Sequence, residues 1–126
     1  MLFDSNVVIR AAEPGRQRLR RWLSVRTPVV SSITYVEVFG FHGITAAADQ
    51  ALRALFSNVG VLPVTDDVIE QAVALRRQRR MSLGDSLIAA TAIVEGAELV
   101  TRNISDFRWI SGLTVIDPAG DLGADA

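Results

Sequence analysis

Four acidic residues stand where this chain could do chemistry. Asp4 ends the apolar start of LFDSNVVI, Glu37 lies in SSITYVEVFG, Asp85 in LGDSLIAATA and Asp106 in TRNISDF. Few other reactive side chains compete with them. There is no cysteine, His42 is the single histidine, and all 13 basic residues are arginines. Without lysine, Schiff-base enzymes and P-loop nucleotide hydrolases are excluded. Without cysteine or clustered histidine, so are thiol catalysis and structural zinc. A lone histidine between Phe41 and Gly43 supplies no nucleophilic triad. Hydrolysis by acids and metal ions survives this filter.

Elements must bring such acids together, and the pattern predicts them. Five short, mostly β-branched runs read as strands: Met1–Phe3, Pro28–Ser31, Val59–Val64, Glu98–Thr101 and Leu113–Asp117. Helical spacing fills the intervals. Leu19, Trp22 and Leu23 share a face, as do Ala48, Ala51, Leu52, Leu55 and Phe56, and then Val68, Ile69, Ala72 and Val73 after the Thr65-Asp66-Asp67 start. Leu87–Val94 is apolar on every side, which predicts a buried helix. Alternating strands and helices imply a parallel sheet in an α/β sandwich. In such sheets, sites form beyond the carboxyl ends of strands, where Asp4 and Asp106 fall.

Each acid also has an ordinary structural reading. Asp4 and Asp85 fit helix N-caps, Thr34-x-x-Glu37 fits a capping box, and Asp106 fits an Asx-turn. Taken together the balance shifts. Glu37 sits among Ile33, Tyr35, Val36, Val38, Phe39 and Phe41, an apolar setting for a cap, and no other charge follows Asp85 before Glu95. Burying several carboxylates is costly without a compensating cation. A purely carboxylate set suits a hard ion such as Mg²⁺ or Mn²⁺.

The 126 residues predict one domain, and the net charge of −1 gives no global attraction to a polyanion. Local clusters remain. Arg76, Arg77, Arg79 and Arg80 form RRQRR ahead of Asp85, either as phosphate contacts or as a solvated helix end. Arg16 to Arg21 read as a wet helix face, and Arg102, beside Asn103 in TRNISDF, is the better single candidate for a phosphate contact. His42 reads as a surface or packing residue, and Trp22 and Trp109 as core or interface anchors. A hydrophobic fraction of 49% and a mean hydropathy of +0.28 suggest apolar surface covered by a partner or second copy. No leader or membrane span is visible, so the expectation is a soluble, cytoplasmic protein.

The ordered set LFDSNVVI, ITYVEVFG, LGDSLIAATA and TRNISDF, closing with GLTVIDP, resembles the PIN-domain ribonucleases. It is most similar to the toxin component of VapBC-type toxin–antitoxin pairs, and the likeness runs from Leu2 to Pro118. The resemblance implies a PIN-like three-layer α/β/α sandwich over residues 1–118, with a mainly parallel sheet of four to five strands. Residues 119–126 are expected to be a flexible tail. It implies hydrolysis of RNA phosphodiester bonds with Mg²⁺ or Mn²⁺, held chiefly by Asp4, Asp85 and Asp106. Glu37 would be a further ligand or act through bound water, while Asn6, Thr101 and Asn103 support the site. A cognate VapB-type antitoxin, an RNA substrate and a homodimer are implied as partners. Ser5 stands where threonine is more usual and Ser86 where alanine is common; neither departure removes an acid. Two alternatives stay open: a PIN-type nuclease of RNA processing, and a protein that binds RNA or a partner without cleaving. Receiver and haloacid-dehalogenase domains also gather acids at strand ends, but they require a lysine.

Overall fold

The computed structural model describes residues 1–126. Strands β1 (Leu2–Phe3), β2 (Val29–Ser31), β3 (Gly60–Leu62), β4 (Leu99–Val100) and β5 (Val115–Ile116) lie within the five predicted runs. They form one sheet in the order β3-β2-β1-β4-β5, and all four pairings are parallel. The helices are α1 (Ser5–Ala12), α2 (Gln17–Ser24), α3 (Ser32–Phe39), α4 (Ala46–Phe56), α5 (Asp66–Gln78), α6 (Leu83–Glu95), α7 (Ile104–Phe107) and α8 (Ala119–Leu122). None is long and apolar enough to cross a membrane.

Strand alternation creates the three layers, because successive side chains point to opposite faces. Leu2 and Leu99 join Val68, Ala72, Leu75, Ile88 and Phe107 in one buried cluster, beneath α5, α6 and α7. Their neighbours Phe3, Val30 and Val100 join Val7, Val8, Leu19, Trp22, Leu23 and Leu52 on the other face, beneath α1, α2 and α4. The apolar run of α6 is buried as expected, with Ile88, Ala89, Ala90 and Ala92 all inaccessible or nearly so. On α5 the inward face is narrower than the spacing suggested. Val68, Ala72 and Leu75 are buried, whereas Ile69 and Val73 turn to solvent.

The strand order sets the site. The chain builds outward from β1 to β2 and β3, then crosses back to add β4 and β5 on the other side of β1. The order therefore reverses between β1 and β4, and a crevice opens outside the carboxyl ends of strands at such a point. Phe3 pairs with Val100, so Asp4 and Thr101 leave the sheet side by side.

Residues 119–126 form α8 and a 3-10 turn, Gly123–Asp125, hydrogen-bonded to α1 and α2. The Trp22 indole N–H donates to Asp121 Oδ2 at 2.8 Å, and Arg10 Nε donates to the Ala126 oxygen at 2.7 Å. Arg26 pairs with Asp121 and Arg18 with Asp125. Of the arginine face that composition marked as wet, Arg18 has an acidic partner in the tail. Composition alone registers the small residues of that tail and not its acid spacing.

Candidate metal centre and active site

Asp4 is the anchor. The residue is 4% exposed, directly after β1 and beside the end of β4. Oδ1 accepts the Ser5 N–H at 2.8 Å, so Asp4 does cap α1. Oδ2 accepts the Thr101 hydroxyl at 2.8 Å, and Thr101 Oγ1 in turn accepts the Asn103 N–H at 3.0 Å. Cap and site are thus not rival readings, because one carboxylate has an oxygen, with two lone pairs, for each.

The other three acids arrive from separate elements. Asp85 is half-buried in the first turn of α6, whose cap is Ser82; the Ser82 hydroxyl accepts the Asp85 N–H at 3.1 Å. Asp85 is therefore not the cap of its helix. Glu37 belongs to α3, which Ser31 caps by accepting the Ile33 N–H at 3.2 Å. The Thr34–Glu37 capping box does not form, because both residues lie inside the helix. Asp106 lies within α7 instead of an Asx-turn. Glu37 and Asp106 are exposed. The apolar setting expected around Glu37 is also partly open: Tyr35, Val36 and Phe41 are surface residues.

Charge ties the four together. Burial raises the Asp4 carboxyl above its ordinary value, and the nearby charges of Glu37 and Asp106 raise it further, against the Thr101 and Ser5 hydrogen bonds. Asp85 is raised too, first by burial, then by the charges of Asp4, Asp106 and Glu37. Acids perturbed by burial and by each other, near the carboxyl ends of strands, are candidates for a functional centre. The donors are all carboxylate or hydroxyl oxygens, which fits a hard divalent ion and disfavours a soft one. No three of the acids stand close enough to hold an ion at one point. Mutual repulsion opposes such an approach without a cation between them.

The supporting residues divide. Thr101 touches Asp4 directly. Asn103 contributes its backbone N–H to Thr101, with its side chain exposed. Asn6 is exposed in the first turn of α1 and makes no hydrogen bond to Asp4. Arg102 is exposed and pairs with Asp117 at 3.5 Å. Arg76 and Arg77 end α5, with Arg79 and Arg80 just beyond it, and all four are exposed. They line a cleft with Ile69, Val73 and Leu83 that contains none of the acids. Arg79 lies over the Trp109 ring at 5.5 Å, and the Trp109 N–H donates to the Asp106 carbonyl, which links RRQRR to α7. Sequence reasoning missed Ser82 as the cap of α6, although S-x-x-D just ahead of an apolar run is a capping signal.

A parallel five-stranded sheet with acids just after β1 and on α3, α6 and α7 defines a class, and the chain belongs to the PIN-domain family, whose profile matches residues 1–111. It is 34% identical over 122 residues to ribonuclease VapC10 of Mycobacterium tuberculosis, covering 90% of each chain. It is 29% identical over 133 residues to ribonuclease VapC1 of Rickettsia felis, covering 92% of this chain and 94% of that one. Among solved structures, a toxin–antitoxin complex from Klebsiella pneumoniae matches with a TM-score of 0.76 and 33% identity, over 93% of this chain and 96% of that one. VapBC2 from Rickettsia felis, bound to a promoter DNA fragment, matches with a TM-score of 0.77 at 23% identity, over 92% and 96%; it bears on the fold alone.

Proposed function

We propose that this chain is a divalent-metal-dependent endoribonuclease and the toxin of a VapBC-type pair. The observation that carries the nuclease reading is the buried Asp4, set at the sheet's switch point and electrostatically coupled to Glu37, Asp85 and Asp106. Asp4, Asp85 and Asp106 would hold Mg²⁺ or Mn²⁺, with Glu37 as a further ligand or acting through water. A bound divalent ion lowers the pKa of water enough to attack a phosphodiester near neutral pH without a histidine base.

The chain's own residues supply the rest. Thr101 fixes the Asp4 carboxylate against rotation, so its free lone pairs keep one direction. Arg102 stands next to Thr101 and Asn103; leaving Asp117 costs it little, because exposed ion pairs are weak. It is the candidate to meet an RNA phosphate with paired N–H donors. Arg79 and Arg80, with Arg76 and Arg77, extend positive charge along the path that reaches Asp106 through Trp109.

The toxin role draws its support from the relatives named as VapC ribonucleases and from the likeness to the Klebsiella complex. A VapB-type antitoxin is the proposed partner. The exposed Tyr35, Val36 and Phe41, on α3 and just after it beside Glu37, offer apolar surface for it. A homodimer is proposed on the same apolar excess. The role is tested by inducing the chain in a bacterial host, alone, as Asp85→Asn, and with a co-expressed cognate antitoxin. Growth arrest with RNA breakage, relieved by either change, supports a toxin. Unimpaired growth with intact RNA overturns it.

A further inference from the structure

Glu37 stands on an exposed face of α3, yet its carboxylate is bounded on two sides. On one side is a chain of hydroxyls. Ser5 Oγ lies 2.9 Å from Glu37 Oε1 and 3.2 Å from Thr34 Oγ1. Ser5 has a single proton, and an ionised carboxylate can only accept. The Ser5 proton therefore goes to Glu37, and the Thr34 hydroxyl donates to Ser5 Oγ. Thr34 is fully buried, and Ser5 Oγ is its only side-chain hydrogen-bond partner. The order is fixed: Thr34 to Ser5 to Glu37.

On the other side is Gly84, in the first turn of α6 next to Asp85. A Cβ there would meet Glu37 Oε2 at 3.2 Å and the carboxylate carbon at 3.7 Å. Gly84 has an ordinary helical backbone, so no positive φ demands glycine. Glycine is a poorer helix former than alanine. What it provides here is space, which lets the Glu37 carboxylate lie against the start of α6 beside Asp85.

We infer that Thr34 and Gly84 are positioning residues that hold Glu37 toward Asp85 and so set the affinity of the site for its divalent ion. Neither touches the ion in this account. Thr34 acts through Ser5, and Gly84 acts by leaving room. The inference rests on the four acids being a divalent-cation site.

The test is Mn²⁺ binding by calorimetry, with thermal unfolding of each ion-free protein alongside. The proteins are wild type, Thr34→Val, Thr34→Ser and Gly84→Ala, each with and without Glu37→Ala. Thr34→Val and Gly84→Ala are expected to weaken Mn²⁺ binding by about tenfold, the scale of lost support to a ligand. Thr34→Ser should stay within about twofold of wild type, and neither loss should persist on Glu37→Ala, as coupling through one residue requires. Gly84→Ala should keep or raise the unfolding temperature while binding falls, a combination that a merely structural role does not give. Unchanged binding in both variants, or equal losses without Glu37, overturns the inference while leaving the cation site intact. A wild type that binds no Mn²⁺ overturns the cation site itself and the inference with it.

Discussion

The Thr101 hydroxyl donates to Asp4 Oδ2 at 2.8 Å, joining the ends of two adjacent strands across 97 residues of sequence. Both groups are buried. Thr101→Val therefore leaves a buried carboxylate oxygen short of a donor, a cost of about 1–3 kcal/mol. RNA cleavage should fall by roughly 10–100-fold through loss of support to a ligand, and Thr101→Ser should recover most of it. Urea unfolding together with initial cleavage rates checks both halves. Full activity in Thr101→Val would remove Thr101 from the site.

Asp85 gives a pH-dependent prediction. Burial and its acidic neighbours raise its carboxyl above the ordinary value in the folded protein. Its charged form therefore opposes folding, fully above the raised value, and the cost fades as pH falls toward the unfolded value. Ion-free Asp85→Asn should unfold at a higher temperature than wild type near neutral pH. The gap should close on acidification. Added Mg²⁺ should raise the unfolding temperature of wild type and much less that of Asp85→Asn, because binding to the folded state alone stabilises it. A scan over pH and Mg²⁺ decides the matter; a less stable Asp85→Asn at neutral pH contradicts the electrostatic assignment.

Arg102 is proposed to contact RNA. Its pairing with Asp117 is exposed, so Arg102→Ala should leave stability within about 0.5 kcal/mol. RNA binding by a cleavage-dead protein should weaken, and the salt dependence of log K should lose a slope of about 0.7, one single-strand phosphate contact. An unchanged slope would return Arg102 to the surface with no role.

The tail is expected to be structural. Asp121→Ala removes the acceptor of the largely buried Trp22 N–H and should cost about 1–2 kcal/mol, measured by urea midpoint. Asp121→Asn keeps an acceptor oxygen and should cost much less. Equal losses would assign the effect to the Arg26 ion pair instead of the indole.

The fold was legible because its signals are local. Leu2 and Phe3, or Leu99 and Val100, are adjacent β-branched or bulky apolar residues whose alternation alone places one on each face of a sheet. Asp4 was legible for the same reason, since an acid straight after a buried strand has one place to go. Glu37 was harder. Its apolar neighbours suggested burial, but Tyr35 and Val36 face outward, and a helix periodicity this weak does not say which face meets solvent. Ser82 capping α6 and Ser31 capping α3 were displaced by nearby residues with equal capping propensity. The Thr34–Ser5–Glu37 chain joins α1 to α3 across 29 to 32 positions. No local pattern encodes such a contact, and it follows only from the packing of the two helices.

Cleavage of RNA on a denaturing gel, wild type against Asp4→Asn, tests the central claim most directly. Asparagine keeps the cap to Ser5 through its one oxygen, while its amide nitrogen cannot accept from Thr101, so the change removes the carboxylate charge together with one acceptor. Each protein is run with Mg²⁺, with Mn²⁺ and with chelator. The predicted result is discrete products from wild type with either metal, none with chelator, and a loss of at least about 100-fold in Asp4→Asn. Equal cleavage by Asp4→Asn, or cleavage by wild type in chelator, would contradict the account.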